Sequence, residues 1–194
     1  MTWSRELQTN EDPGDYAAVE DFRKLFTEEA DNFYLLALQL NGDEAQAEHT
    51  FVADLEDSIN SNKIFRDWAH VWAKGTIIKN AISIVRPHPN GADGSPQMSS
   101  YAKKEFPTVA DMRTEIVCVL ALKAFERFIF VMSVLEGYSE MDCSLLLDCS
   151  LVDVREARIR ALQQVAAGRT SLLAAHWAPR LISTVIEDTN EKTN

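Results

Sequence analysis

Cysteine is scarce in this chain of 194 residues: Cys118, Cys143 and Cys149 make an odd number, with no Cys-x-x-Cys spacing. That argues against a disulfide framework and against a zinc ribbon. The four histidines (His49, His70, His88 and His176) are scattered and supply no metal-ligand pattern, so no metal and no cofactor is expected. The thiols read as small buried hydrophobes, kept reduced in a cytoplasmic protein. Long apolar runs are lacking too. The longest, residues 116–122 and 128–135, are separated by Lys123, Glu126 and Arg127, well short of the roughly 20 apolar residues of a spanning helix. The first 14 residues are polar and acidic, without the basic-then-apolar order of a signal peptide. A soluble chain without membrane contact is therefore expected. Phosphate loops of the GxxxxGK[ST] type, GxGxxG, HExxH and GxSxG are all missing, so neither an enzyme nor a small-molecule substrate is expected.

What is abundant is acid. The formal net charge of −11, taken whole, opposes nucleic-acid binding, but its distribution does not. Residues 1–60 carry three basic side chains against fifteen acids, a balance of −12. Residues 61–110 carry seven bases against three acids, and residues 151–180 carry five arginines against Asp153 and Glu156, so these stretches stand at +4 and +3. Beyond a screening distance of about 8–10 Å, local field outweighs the sum.

Helical periodicity dominates the first half. Val19, Phe22, Phe26, Phe33, Leu36, Ala37 and Leu40 recur at helical steps and predict one apolar stripe. Asn41-Gly42 closes it, glycine being able to take the left-handed conformation past a helix end. Asp43 caps the next helix, with Gln46 at the capping-box position and Phe51, Val52, Leu55 and Ile59 as its expected buried face. A third helix is predicted from Ile64, Phe65, Trp68, Val71, Trp72, Gly75, Ile78, Ile82 and Val85, halted by Pro87. Residues 86–106 are rich in proline, glycine and serine and lack periodicity, which marks a flexible linker. Apolar periodicity resumes at Val109 and continues to Leu135. A strand reading of residues 116–122 and 128–135 stays open because of their β-branched side chains. The absence of turn residues, and a polar Lys123–Glu126–Arg127 cluster fitting one face, favour a continuing helix.

Residues 135–164 are the most informative. Gly137 ends one helix, and Ser139 caps the next with Asp142 in the capping-box position. Cys143, Leu146 and Leu147 give that short helix an apolar face. Asp148-Cys149-Ser150 is a turn. A further helix over residues 151–164 turns Val154, Ala157, Ala161 and Leu162 inward, with Arg155, Arg158 and Arg160 at or near its outer side. This is the pattern of a helix-turn-helix with a basic second helix, in which the shorter helix braces the one that enters the major groove.

At this point the sequence resembles the extracytoplasmic-function group of sigma factors, the small two-domain promoter-recognition subunits of RNA polymerase. The run Leu135-Glu136-Gly137-Tyr138-Ser139 is similar to the entry of their region-four helix-turn-helix, with Ser150–Val154 and Arg160-Ala161-Leu162 matching its turn and recognition helix. Residues 33–43, then Ala45, Ala47 and Glu48, are similar to region two, and Phe65, Trp68 and Ala73 fall at further positions of that region. The chain departs from the family pattern at His49, Val52 and Ala53, at Lys79, at Lys123 and at Ala157. The resemblance implies an all-α chain. An acidic segment (1–17) precedes a region-two-like helical domain (18–86). A linker (87–106) leads to a region-four-like domain (107–165), followed by a C-terminal helix and acidic tail (166–194). It also implies that core RNA polymerase and promoter DNA are the partners, with an anti-sigma factor as a further partner class.

Residues follow from this frame. Ser150, Asp153, Arg155 and Arg158 form the contact set of the second helix: Arg155 for base edges or phosphate, Arg158 and Arg160 mainly for phosphate, which sets register without carrying sequence. Lys74 and Lys79 are assigned to the −10-like strand, and Glu48, Asp54 and Asp57 to an acidic polymerase-facing surface. Trp68 and Trp72 lie on the apolar stripe and are expected in the core, with stacking on an unpaired base as the alternative. A protein-interaction module derived from a sigma factor, regulating transcription without binding core polymerase, is the competing reading.

Overall fold

The computed structural model describes the backbone of residues 15–61, 63–89 and 110–190, and the side chains of all of these except 110–114 and 171–190. The acidic residues 1–14, most of the expected linker and the last four residues lie outside them. Among the described residues the chain is all-helical: α1 (Val19–Glu28), α2 (Ala30–Asn41), α3 (Glu44–Asn60), a 3-10 turn (Arg66–Trp68), α4 (Ala69–Val85), α5 (Ala110–Leu120), α6 (Ala124–Phe130), a π-helical turn (Val131–Leu135), α7 (Glu140–Leu146) and α8 (Leu151–Asn190). The strand reading of residues 116–122 and 128–135 is thereby set aside. The one extended pairing described is an isolated bridge between Tyr16 and Phe65. No described helix is long and apolar enough to cross a membrane.

The chain divides into two compact units, Met1–Leu38 with Asp43–Ile84, and Gln39–Gly42 with Val85–Asn194. In the first, the expected single stripe from Val19 to Leu40 is split at Glu29, whose backbone leaves helical geometry (φ −108°, ψ 14°) while its N–H still donates to Leu25 O. Val19 is exposed, and Phe22, Phe26, Phe33, Leu36 and Ala37 are buried. Phe26 packs against Phe33 and Phe51 with ring centroids 5.0 and 5.7 Å apart, and Phe33 lies 5.6 Å from the His70 ring. Helix ends behave as their residues dictate. Gly42 has φ +73°, the Asp43 carboxylate accepts from Gln46 N–H at 3.0 Å, and α4 stops at Val85, two residues before Pro87.

Apart from Ile78, the buried faces of α3 and α4 are not the predicted ones. In α3 the fully enclosed residues are Ala47, Thr50, Asp54 and Ser58, whereas Val52 is exposed and Phe51, Leu55 and Ile59 are half-buried. In α4 they are Ala69, Ala73, Thr76, Ile77, Ile78 and Ala81. Phe65, Trp68, Val71 and Trp72, expected in the core, are 47, 68, 69 and 44% exposed. Small residues hold the enclosed positions of α3 and of the first turns of α4, and the large rings beside them are exposed.

In the second unit α8 packs against α5, α6 and α7. The core is Leu40, Val119, Leu122, Phe125, Phe128, Ile129, Met132, Cys143, Leu147, Val154, Ala157 and Ala161. The helix expected to continue to Leu135 is interrupted at residues 121–123, and Lys123 becomes the extended N-cap of α6. Glu126 and Arg127 are correspondingly buried and not on a polar outer face. Arg127 uses its guanidinium to satisfy three carbonyls that would otherwise be orphaned, Leu40 O (3.2 Å), Leu122 O (3.1 Å) and Asn41 O (2.9 Å). The π-helical turn closes with Glu136 N–H donating to Val131 O at 2.9 Å. Leu151–Asn190 runs as one unbroken helix of 40 residues, with no interruption near residue 165.

Candidate nucleic-acid interface

The turn between α7 and α8 is built by two successive capping boxes. Ser139 Oγ accepts from Asp142 N–H at 3.1 Å while the Asp142 carboxylate accepts from Ser139 N–H at 3.1 Å. The same reciprocal pair recurs at Ser150 and Asp153, again with both bonds at 3.1 Å, and the Ser150 hydroxyl donates to Asp153 Oδ2 at 2.6 Å. Each box satisfies donors that a helix start leaves unpaired. Between them Asp148 takes φ +48°, a left-handed position that aspartate tolerates better than most residues. Cys149 N–H donates to Ser144 O, and the Ser144 hydroxyl returns a bond to Cys149 O at 2.6 Å. Buried Cys143 and Leu147 hold α7 down. Leu146 and Leu162, predicted inward, are each 43% exposed. Burial, with lesser contributions from Asp142 and Cys149, pushes the Cys143 thiol up to about 11, as expected of an inert core thiol.

This geometry brings together Ser150, Asp153, Arg155, Arg158 and Arg160, and it gives each a local partner. Ser150 and Asp153 are engaged in capping, a structural duty that reading them as DNA contacts overlooked. Arg155 and Arg158 extend from α8 toward Glu140 at the start of α7, Arg155 Nε donating to Glu140 Oε2 at 2.7 Å and Arg158 Nη1 standing 3.9 Å from Oε1. Their side chains remain 60 and 41% exposed, so these pairs are surface pairs of small net strength. Arg160 differs. Its Nε donates at 2.7 Å to Glu126, whose side chain is only 7% exposed, and its Nη1 lies 3.5 Å from Glu156. Sequence spacing carries no sign of Glu140 as a partner, since it lies 15 residues before Arg155 and outside any i, i+4 relation. The outer side of α8 also exposes Val152 and Ile159, and α7 exposes Met141 and Leu145.

The other predicted residues lie in the first unit. Lys79 is exposed and Lys74 half-buried on α4. Glu48 is exposed on α3, and Asp57, also exposed, accepts from the Asn80 amide at 3.1 Å. Asp54 is removed from the expected acidic surface. Its side chain is fully buried, and neither carboxylate oxygen has a hydrogen-bond partner. Burial first, then the charge of Asp57, pushes its carboxyl up to about 8. Ser58, one turn on, pulls the other way but lacks hydrogen-bond geometry, so it does not offset them.

The aromatic residues misplaced by the sequence pattern form the most distinctive surface of this unit. Tyr16 stacks on Phe65 with centroids 4.9 Å apart and planes at 23°, and Phe65 meets Trp68 edge-on at 5.9 Å. Trp72 follows one helical turn later. No protein-family model matches the chain, and the search of curated proteins found no match.

Proposed function

We propose that this chain is a transcription initiation factor resembling the extracytoplasmic-function sigma factors. Its two units would act at the −10-like and −35-like elements of a promoter bound by core RNA polymerase. The observation that carries the reading is the pair Arg155 and Arg158, held on the first turns of α8 directly after a doubly capped turn and more than two-fifths exposed. A guanidinium there suits phosphate oxygens or the guanine edge. The uncovered Trp68 and Trp72 rings give the first unit surfaces on which unpaired bases stack, an interaction worth roughly 1–3 kcal/mol per base. Glu48 and Asp57 remain for polymerase docking, Asp54 having been withdrawn into the core. Run-off transcription with core polymerase on candidate promoters tests the proposal. Initiation that depends on this protein supports it, whereas no initiation together with no binding to core polymerase overturns it.

The loss of Asp54 from the surface and the carboxylate partner on every arginine of the contact set favour a second reading. In it the chain is a sigma-derived module that binds another sigma factor or an anti-sigma factor. Capture of such a partner without core polymerase selects it over the first.

A further inference from the structure

The face that carries Arg155 and Arg158 is also apolar. On α8, Val152, Arg155, Ile159 and Leu162 recur at steps of three, four and three, so they share one side of the helix, clear of the buried Val154, Ala157 and Ala161. Val152, Ile159 and Leu162 are all exposed. On α7, Met141 and Leu145 stand one turn apart and are exposed too, Leu145 by 72%. They adjoin Glu140, the residue that Arg155 reaches at 2.7 Å. Each helix thus shows, besides its buried side, a second apolar stripe that its own unit leaves uncovered, and clustered exposed apolar side chains mark contact surfaces.

The arginines indicate what kind of partner fits. Among the described residues Glu140 is the one carboxylate that both approach. Arg155 Nε donates to it, whereas Arg158 Nη1, at 3.9 Å, stands beyond hydrogen-bond distance. Two guanidinium groups with five N–H donors each therefore share one acid, which leaves donors for carboxylates from outside. Glu156, the nearest acid along α8, is turned to Arg160 at 3.5 Å.

We propose that this face docks an acidic amphipathic helix of a partner protein, its apolar stripe laid along Leu145, Val152, Ile159 and Leu162 and its flanking carboxylates on Arg155 and Arg158. Anchors at steps of three and four are how one helix is read by another, and Val152 to Leu162 spans about 15 Å, some three turns. Charge complementarity selects the partner: an apolar stripe beside two arginines suits a helix edged with acids and repels one edged with bases. The proposal gives the partner of the second reading above a chemistry and a place. Exclusion of duplex DNA from Arg155 and Arg158 by that helix rests on the proposed function; the docking itself does not.

A fluorescein-labelled peptide of about 14 residues, roughly four turns of helix, with leucines at steps of three and four and glutamates beside them, tests this by anisotropy against the full-length protein. Its affinity is expected to fall by about tenfold or more when glutamine replaces the glutamates, or when a scrambled order breaks the stripe. Leu145→Ser and Ile159→Ser change exposed positions and leave the fold in place, and each is expected to weaken binding by about fivefold or more. No saturable binding overturns the proposal and leaves the face to nucleic acid, and binding that neither replacement weakens overturns it as well. So does self-association in sedimentation velocity that Ile159→Ser abolishes, which assigns the face to a second copy. Peptide binding that displaces a labelled duplex supports the docking together with the DNA-reading function. Peptide binding by a protein that binds neither duplex nor core polymerase supports the docking and counts against that function.

Discussion

Replacing Asp54 with asparagine isolates the largest electrostatic debt in the first unit. The carboxyl is fully enclosed and its titration is raised to about 8, against about 3.9 for an unfolded aspartate. Between those values the folded chain holds a proton that the unfolded chain has released. Stability therefore falls as pH rises through this window, by about 1.4 kcal/mol per pH unit for one proton. From pH 5 to pH 7 this side chain alone removes about 2.5 kcal/mol. Asparagine keeps the shape and cannot titrate, so Asp54→Asn gains relative to wild type by that amount over the same interval. Urea unfolding followed by tryptophan emission in a Trp177→Phe background reads the first unit selectively, since Trp68 and Trp72 both belong to it. Wild-type and Asp54→Asn stabilities that run parallel from pH 5 to pH 7 would refute the assignment of Asp54 as a neutral buried acid.

Gly42→Ala is expected to destabilise the chain by more than about 1–2 kcal/mol, the cost of a left-handed backbone with a Cβ. The added methyl would also stand 2.7 Å from the guanidinium carbon of Arg127, and thermal unfolding measures the loss. Glu140→Gln releases Arg155 and Arg158 from their shared carboxylate. Because exposed pairs are worth up to about 1 kcal/mol, duplex-DNA affinity should rise by up to about fivefold in an anisotropy titration; a fall would show that Glu140 positions the arginines and does not compete for them. Ser150→Ala removes a helix cap at a cost of about 1 kcal/mol, read by chemical unfolding, whereas Arg155→Ala should leave stability within about 0.5 kcal/mol.

Much of the second unit was legible because its signals are local. Ser139 with Asp142, the turn at Asp148, and inward Val154, Ala157 and Ala161 are written within a few residues of each other, and the structure shows each of them. The first unit misled for a physical reason. Hydropathy ranks side chains by size and apolarity, so Phe51, Val52, Trp68 and Trp72 were expected inside. The enclosed positions are instead Ala47, Thr50, Asp54 and Ser58 on α3 and Ala69, Ala73, Thr76, Ile77, Ile78 and Ala81 on α4, while Val52, Trp68 and Trp72 are exposed. Long-range partners were beyond any spacing rule. Nothing near Arg127 in sequence announces the carbonyls of Leu40 and Asn41, and nothing near Arg160 announces Glu126. The three cysteines are free thiols, with Cys118 and Cys143 buried as expected and Cys149 half-buried at the turn.

The central claim is that Arg155 and Arg158 can exchange Glu140 for the phosphates of a duplex, and the salt dependence of duplex binding addresses it directly. Each phosphate neutralised contributes a slope of about −0.9 to log affinity against log salt. Two arginines predict a slope of roughly −2, and roughly −3 if Arg160 also leaves Glu126. Replacing Arg155 and Arg158 by alanine should flatten it by roughly 2. A flat response in the wild type, or a slope that the double replacement leaves unchanged, contradicts the account.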